Sequence, residues 1–220
     1  TAEPVAVYAA VVDLERPGLE IVITPNFGEK TLTSAFARTN GLDVAINGEA
    51  GTSPLAQAGL GQWSGNWIVR GDAVLLRDSA KRPFLGFDRQ NRPHYFKAAE
   101  ILRTIGDDRW NAIWGRFDLI VDGVVVEVET DAGPQTCMGI SKSGDRLFLL
   151  VADGRRPGHS AGMGLVDVGA LMVAMGAHQA MSCDRGGSSC LDVGSLTGLA
   201  NQPSDGVERP TYSHCGVKLR

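Results

Sequence analysis

Residues 181–190 read MSCDRGGSSC, and this stretch says most about the fold and the site. It lies between two predicted strands, at 179–183 and 190–193, and is therefore predicted to be a loop. Between two cysteines it places one carboxylate, one guanidinium, two glycines and two hydroxyl groups. Glycine allows a positive φ or a close approach by a ligand, and successive N–H groups in such a turn can form an anion-binding concavity. The stretch predicts a loop that holds a phosphate or an anionic sugar.

The segment before this strand and loop predicts the clearest helix of the chain, over residues 164–175. Its apolar residues recur at helical spacing, and Gly176 follows as a typical helix stop. These apolar residues are Leu165, Val168, Leu171, Met172 and Met175. We interpret the methionines as core residues because their flexible side chains fill irregular gaps well.

The remainder of the chain predicts many short strands and only one or two more helices. Asp122-Gly123, between strands at 117–121 and 124–128, is a typical two-residue hairpin turn. Residues 50–65 predict a long loop rich in Gly, Ser and Ala. The other predicted strands are 5–12, 19–24, 44–46, 67–69, 73–76, 84–87, 138–140, 147–151 and 211–219, and the other predicted helices are 31–38 and 96–105. This pattern predicts an α+β fold, a single domain over residues 1–220 with a mixed or antiparallel β-sheet core and a few packed helices.

Composition narrows the classes of function. The 220 residues carry a formal net charge of −4, which gives no general reason to bind nucleic acid or an anionic membrane. No apolar run approaches the roughly 18 residues that a membrane span needs. The chain starts at Thr1 without an initiator Met, so we expect a secreted or periplasmic protein whose signal peptide has been removed.

Four cysteines, an even number, favour two disulfides in an oxidising compartment. The preferred pairing is Cys183–Cys190 with Cys137–Cys215. The alternative is four buried reduced thiols that act as small apolar side chains. A zinc site is disfavoured because the spacings are wide and no C-x-x-C pair exists, so no metal ligands are assigned.

The chain contains none of the motifs of P-loop proteins, dinucleotide-binding proteins, zinc metalloproteases or serine esterases. Polar clusters at the ends of predicted strands supply the candidates instead. Each cluster alone is typical of a turn, but together they hold the carboxylates, guanidiniums and amides needed to hydrolyse a phosphorylated sugar. The clusters are residues 47–49, 153–156 with 159–160, 184–189, and 201 with 204–206 and 209.

Taken in order along the chain, these clusters and their neighbours resemble the phosphodiester glycosidase domain family. The resembling stretches are AINGE (45–49), RPFLGF (82–87), VADGR (151–155), SAGMGL (160–165), AMSCDRGGSS (180–189) and NQPSDGVERP (201–210). The resemblance extends from about residue 44 to the C terminus. Each stretch alone is weak, but their order and spacing make the resemblance specific.

The resemblance implies a hydrolase that cleaves the bond between a sugar anomeric carbon and a phosphodiester. Its expected partner is a sugar-1-phosphate diester or a phosphate-containing glycan such as an exopolysaccharide. Asp184 or Glu49 is the expected nucleophile or base, and Asp153 is a further carboxylate candidate. The expected phosphate- or sugar-binding residues are Asn47, Arg116, Arg155, His159, Ser160, Arg185, Gly186, Gly187, Ser188, Ser189, Asn201 and Arg209. No cofactor is required for this chemistry, and a structural calcium held by Asp and backbone oxygens is a further candidate.

Two positions depart from the family pattern. Arg185 stands where the family usually has glycine, so it either fills the sugar pocket or adds a charge for a more acidic substrate. Gly51 and Thr52 stand where aromatic residues are common, which predicts a different pocket wall there. Both departures bear on the identity of the substrate.

Two other classes of function stay open on the sequence. One is a glycan- or sugar-phosphate-binding module that uses the same pocket without turnover, and Arg185 is the residue that favours it. The other is a metal-dependent phosphodiesterase that cleaves at phosphorus, for which carboxylates are available but no spaced His/Asp motif is present.

Overall fold

The computed structural model describes residues 3–25, 29–49, 67–75, 82–97, 110–128, 130–194 and 198–220. The predicted loop 50–65, the departures at 51 and 52, and most of the predicted helix 96–105 lie outside these residues. The helices are α1 (Thr33–Asn40) and α2 (Leu165–Ala174). In chain order the strands are β1 (Val7–Asp13), β2 (Leu19–Ile23), β3 (Val44–Asn47), β4 (Trp67–Val69), β5 (Asp72–Leu75), β6 (Phe84–Phe87), β7 (Pro93–Phe96), β8 (Asn111–Trp114), β9 (Phe117–Val121), β10 (Val124–Val125), β11 (Gln135–Ser141), β12 (Arg146–Ala152), β13 (Ala177–Ser182), β14 (Leu191–Asp192) and β15 (His214–Leu219).

The strands form three sheets whose neighbouring strands run antiparallel. A six-stranded sheet has the order β1-β12-β11-β13-β9-β10, a four-stranded sheet β14-β3-β15-β2, and a five-stranded sheet β5-β4-β8-β6-β7. The predicted antiparallel β-sheet core with a few packed helices is thus confirmed. The described residues are mainly β, with two helices, so the fold lies closer to all-β than the α+β prediction suggests.

The six-stranded sheet is buried on both faces, which explains the long apolar run of β12. Leu147 and Leu149 point into a core shared with the other two sheets. Phe148 and Leu150 point the other way, into a second core beneath α2. The alternation follows from the two-residue period of a strand. The first of these two cores therefore joins all three sheets.

Local signals placed several elements correctly. Asp122 and Gly123 have φ of 52° and 81°, as the predicted hairpin turn requires. Helix α1 ends at Gly41, in the left-handed conformation that favours glycine. At its start, the N-cap position is Leu32, which makes no side-chain capping hydrogen bond. The first turn is held by Glu208, which accepts hydrogen bonds from the Ser34 N–H (2.8 Å) and hydroxyl (2.6 Å).

The predicted disulfides are wrong: Cys137, Cys183, Cys190 and Cys215 are all buried free thiols. Cys137 packs in the core beneath α2, whereas Cys215 packs in the core shared by the sheets. Burial raises the pKa of Cys215 to about 12 and the pKa of Cys190 to about 12. The cysteines therefore act as small apolar core residues, the alternative that the sequence left open.

His214, at the start of β15, is buried and neutral. Its Nδ1 lies 3.0 Å from the Thr24 hydroxyl and its Nε2 lies 2.8 Å from the Thr211 hydroxyl. The ring stacks on Phe36, with 4.9 Å between ring centroids. Burial lowers the pKa of His214 to about 4. The neutral imidazole thus ties β15 to Thr24, at the end of β2, and to Thr211, in the segment that precedes β15.

We expect His214 to make the protein acid-sensitive. The unfolded chain takes up a proton at this histidine below about pH 6.5, whereas the folded protein resists protonation until about pH 4. The stability that the neutral His214 contributes is complete above the pKa of the unfolded chain. It is lost as the pH falls from about 6.5 to about 4. His214→Gln cannot titrate, so its deficit in melting temperature relative to wild type should shrink from about pH 7.5 to about pH 5. A deficit that stays constant over this range would contradict the assignment.

Candidate active site

The 183–190 loop crosses from the six-stranded sheet to the four-stranded sheet, because it follows β13 and precedes β14. It contains one 3₁₀ turn, Gly186–Ser188, with Gly186 at a φ of 79°. The Gly186 N–H donates to the Pro134 carbonyl (3.2 Å) beside β11. The loop therefore packs where the two sheets meet, next to the end of β3.

Asn47, at the end of β3, holds this loop in place. Its Oδ1 accepts hydrogen bonds from the Thr136 hydroxyl (3.0 Å) and from the Cys190 N–H (3.0 Å). Its Nδ2 donates to the carbonyls of Gly48 (3.2 Å) and Asp184 (3.0 Å). The side chain is fully buried. Asn47, which the sequence predicts to bind substrate, therefore holds both ends of the loop in place.

Glu49 and Asp184 form a carboxylate pair beside Asn47. The Asp184 N–H donates to the Gly48 carbonyl (3.3 Å), which brings the loop against the end of β3. Asp184 is half-buried, and its Oδ1 accepts a hydrogen bond from the Arg185 N–H (3.1 Å). Glu49 is only 1% exposed, and neither of its carboxylate oxygens has a hydrogen-bond partner within the described part of the chain.

The environment of Glu49 favours its protonated form. Burial, and next the negative charge of Asp184, raise the pKa of Glu49 to about 8, although Arg116 and Arg82 oppose the shift. At neutral pH a protonated carboxyl group therefore lies beside a second carboxylate. Two carboxyl groups with different protonation can act as an acid and a base.

Asp153, the third predicted carboxylate, has a different environment. Its Oδ1 accepts a hydrogen bond from Asn201 Nδ2 (2.9 Å), and its Oδ2 accepts one from the Gln202 N–H (2.9 Å). Oδ2 also lies 2.8 Å from Nε2 of His159, and the Ser160 hydroxyl donates to the Asp153 carbonyl (2.7 Å). This buried carboxylate is therefore saturated with partners, and it positions its neighbours.

The hydrogen-bonded residues around Asp153 also contact the 183–190 loop, through Asn201. The amide donates to the Ser189 carbonyl (2.9 Å) and accepts from the Leu191 N–H (2.8 Å). Ser188 and Ser189 are both buried, and the Ser189 hydroxyl has no hydrogen-bond partner among the residues that the structure describes. Four predicted site residues, Asp153, His159, Ser160 and Asn201, thus come together as support for the loop.

Two arginines converge on the glycines of the loop. The Arg155 guanidinium packs on Gly186, where an added Cβ would lie 3.2 Å from its Nη1. Arg209 forms an ion pair with Asp205 directly over Gly187, where any Cβ would overlap both side chains. The pKa of Asp205 is lowered mainly by the Arg209 hydrogen bond, and Arg155 contributes a further Coulombic effect. Arg155, Arg209 and Asp205 are called the arginine group below.

Sequence reasoning missed two residues of this site as named candidates. Arg82 acts on Glu49 and lies within the RPFLGF stretch, but the pattern alone does not show that it faces a carboxylate. The sequence indicated Asp205 only as a member of the polar cluster at 204–206, which is typical of a turn. Arg116 does act on Glu49, from the corner between β8 and β9. Arg185, in contrast, lines a separate cavity at the N-terminal end of α2.

Among the described residues, no group of three or more His, Cys, Asp or Glu side chains is arranged to hold a metal ion. A calcium held by Asp and backbone oxygens stays a prediction. Within the same residues, no helix is long and apolar enough to cross a membrane.

The family model of phosphodiester glycosidase matches residues 40–218, and the chain belongs to this family. The match includes the carboxylate pair, the 183–190 loop and the arginine group. It confirms the resemblance that the sequence motifs indicated. A search of curated protein sequences finds no significant match.

Solved structures show the same fold at low sequence identity. A hypothetical protein from Synechocystis superposes with a TM-score of 0.76 at 12% identity, covering 97% of this chain and 59% of that one. The catalytic domain of zebrafish N-acetylglucosamine-1-phosphodiester alpha-N-acetylglucosaminidase, auto-inhibited by its pro-peptide, gives 0.70 at 18% identity, covering 98% and 84%. An exported-protein candidate from Burkholderia pseudomallei gives 0.67 at 14% identity, covering 96% and 73%. The chain thus spans about three fifths of the length of the Synechocystis protein.

The ion pair above Gly187 predicts that a side chain at this position must displace Asp205 or Arg209. In Gly187→Ala the methyl group would overlap Asp205 and Arg209, so the pair or the turn must move. Because the overlapped atoms are the outer ends of half-exposed side chains, which can move aside, we expect a loss of about 0.5–1 kcal/mol in the free energy of unfolding, measured with urea. Gly86→Ala is the matched control, because its Cβ would meet no atom closer than 3.7 Å. Equal stability of Gly187→Ala and wild type would contradict this packing.

The buried Glu49 predicts a second dependence of stability on pH. The folded protein keeps the Glu49 proton up to about pH 8, whereas the unfolded chain releases it near pH 4.5. The stability that the Glu49 proton contributes is complete below the pKa of the unfolded chain. It is lost as the pH rises through the pKa of the folded protein, at about 1.4 kcal/mol per pH unit. Glu49→Gln cannot lose a proton, so its stability relative to wild type should increase from about pH 5 to about pH 9. A pH-independent difference in the free energy of unfolding would show that Glu49 is ionised in the folded protein.

Proposed function

We propose that the protein is an exported hydrolase that cleaves the bond between the anomeric carbon of a sugar and a phosphodiester oxygen. The observation that carries the proposal is the carboxylate pair, in which Glu49, buried and without a hydrogen-bond partner among the described residues, lies beside Asp184. Membership of the phosphodiester glycosidase family supports the reaction class. The Burkholderia structure supports export.

The carboxylate pair suits glycosyl transfer to water. Cleavage of a glycosidic bond passes through an oxocarbenium-like transition state flanked by two carboxyl groups. Asp184 stabilises that positive charge and acts as the nucleophile or as the base that takes a proton from water. Glu49 supplies a proton to the departing phosphate oxygen as the C–O bond breaks. Because phosphate is a good leaving group, this proton contributes less than it would for an ordinary glycoside.

The arginine group is the proposed phosphate site. Guanidinium groups bind phosphate oxygens bidentately, and Arg155 and Arg209 both face the glycine turn. In the structure Asp205 supplies the anion that these arginines face. A substrate phosphate would take over part of this interaction, with the buried Ser188 and Ser189 beside it. Arg116 is better placed to tune Glu49 than to hold the phosphate, because it acts directly on that carboxyl group.

Activity measurements on carboxylate variants test the proposal. Wild type should release sugar from members of a library of sugar-1-phosphate diesters and UDP-sugars. Asp184→Asn should lower kcat by at least about a hundredfold, and Glu49→Gln should lower it and remove a loss of activity near pH 8. Asp72→Asn, an exposed substitution on β5, is the matched control and should retain wild-type activity.

Two outcomes would overturn the proposal. Binding of these diesters without turnover by the wild type would favour a glycan- or sugar-phosphate-binding module. Hydrolysis in oxygen-18 water that places the label on phosphate rather than on the sugar would show cleavage at phosphorus. Full activity of Asp184→Asn on every substrate would remove the assignment of that residue.

A further inference from the structure

A cavity of about 490 Å³ lies between helix α1 and strand β14. One wall is the last part of α1 with the turn that follows it, and the other is the end of β14 with its following turn. Apolar side chains and charged side chains both line it, namely Ala37, Leu42 and Leu199, and Arg38, Asp43 and Asp192. No residue of the carboxylate pair or the arginine group is among its lining residues. The volume lies within the range typical of small-molecule sites.

Backbone contacts at Gly194 fix the two walls of this cavity against each other. Gly194 has a φ of 54°, and a Cβ added there would lie 2.5 Å from the Leu42 carbonyl oxygen and 3.0 Å from that of Asp43. The turn after β14 is closed by the Val193 N–H, which donates to the Gly198 carbonyl (2.8 Å). The two turns therefore pack main chain against main chain, so the shape of the cavity is set by the fold.

Asp192 brings a buried carboxylate with one free oxygen to this cavity. The residue is only 3% exposed, and its Oδ1 accepts a hydrogen bond from the Gly194 N–H (2.7 Å). Its Oδ2 accepts none from the residues that the structure describes. Burial raises the pKa of Asp192 and the charge of Glu208 adds to the shift, although the Gly194 N–H and Arg38 oppose it. A cation that donates to Oδ2 would offset the cost of this buried charge.

The charges around Asp192 disfavour an anionic ligand. Asp43 lines the cavity, and Glu208 adds a third carboxylate where it binds the first turn of α1. Lys218 is already engaged, since its Nζ donates to the carbonyl at the end of α1 (3.1 Å). Arg38 is exposed and forms no ion pair within the described part of the chain. The three carboxylates therefore outnumber the two cations, and an ammonium group fits Asp192 better than a phosphate or a carboxylate would.

We propose that this cavity binds a small organic amine, whose ammonium group pairs with Asp192 while its hydrocarbon part contacts the apolar wall of Ala37, Leu42 and Leu199. The site is separate from the proposed hydrolase chemistry and does not depend on it. Arg38 repels the charge of the ligand and weakens its binding. Asp192 and Arg38 therefore act on the affinity in opposite directions.

Calorimetry with phenethylamine as the probe tests the inference, with phenethyl alcohol as the neutral analogue. Wild type should bind the amine and should bind the alcohol about tenfold more weakly, as expected for loss of a charged hydrogen bond. Asp192→Asn keeps the oxygen that accepts from Gly194, and it should lower the affinity for the amine about tenfold. Arg38→Ala should raise that affinity about twofold, because it removes a like charge at an exposed position.

Three control variants show where the amine binds. Asp131→Asn and Arg16→Ala change an exposed carboxylate and an exposed arginine that do not line the cavity, and both should keep the wild-type affinity. Asp184→Asn should also keep it, because a loss there would place the amine at the carboxylate pair and overturn the assignment.

Four other results would overturn the proposal. They are no binding of the amine by wild type, equal affinity for the amine and the alcohol, an unchanged affinity in Asp192→Asn, and weaker binding in Arg38→Ala, which would indicate an anionic group in contact with the guanidinium. The Arg38→Ala measurement decides the question by itself if Asp192→Asn does not fold stably. Each of these results leaves the proposed hydrolase intact, because neither probe contains a phosphodiester.

Discussion

The buried side chain of Asn47 makes the interaction on which the candidate site depends. Its four hydrogen bonds join the four-stranded sheet to Thr136 in the six-stranded sheet and to both ends of the 183–190 loop. Because the Asn47 amide is fully buried, the loss of any of these hydrogen bonds would leave a buried polar group with neither a protein partner nor water. The loop is thereby held rigidly where the two sheets meet, and the positions of Asp184 and Glu49 follow from it.

Hydrogen-bond partners, and not the degree of burial, distinguish Asp153 from Glu49. Asp153 is buried but accepts three hydrogen bonds, so its charge is compensated and it supports the loop. Glu49 is equally buried, has no partner in the described part of the chain and lies beside the charge of Asp184, so it retains its proton. A buried carboxyl group without partners is costly to ionise. A buried carboxyl group therefore supports the loop at Asp153, whereas at Glu49 it is available for the proposed chemistry.

Elements specified by local sequence were predicted well. The Asp122-Gly123 turn and helix α2 depend on neighbouring residues, whose preferences are readable from a short window. Features that join distant segments were not predictable in this way. Glu208 caps a helix that begins 175 positions earlier in the chain, and the disulfide pairing proposed from spacing is absent because Cys137 and Cys215 pack in different cores.

The sequence by itself determined most of the strands, though not β7 and β8, and it determined the helix before the loop, the family and most of the polar residues at the site. These follow from periodicity, turn chemistry and ordered motifs, which are properties of short stretches. Only the tertiary structure decided what each residue does. It assigned Asn47 and Asp153 to support, paired Glu49 with Asp184, and directed Arg185 into a separate cavity. The reason is that protonation and hydrogen bonding depend on burial and on partners from distant segments, which no local pattern records.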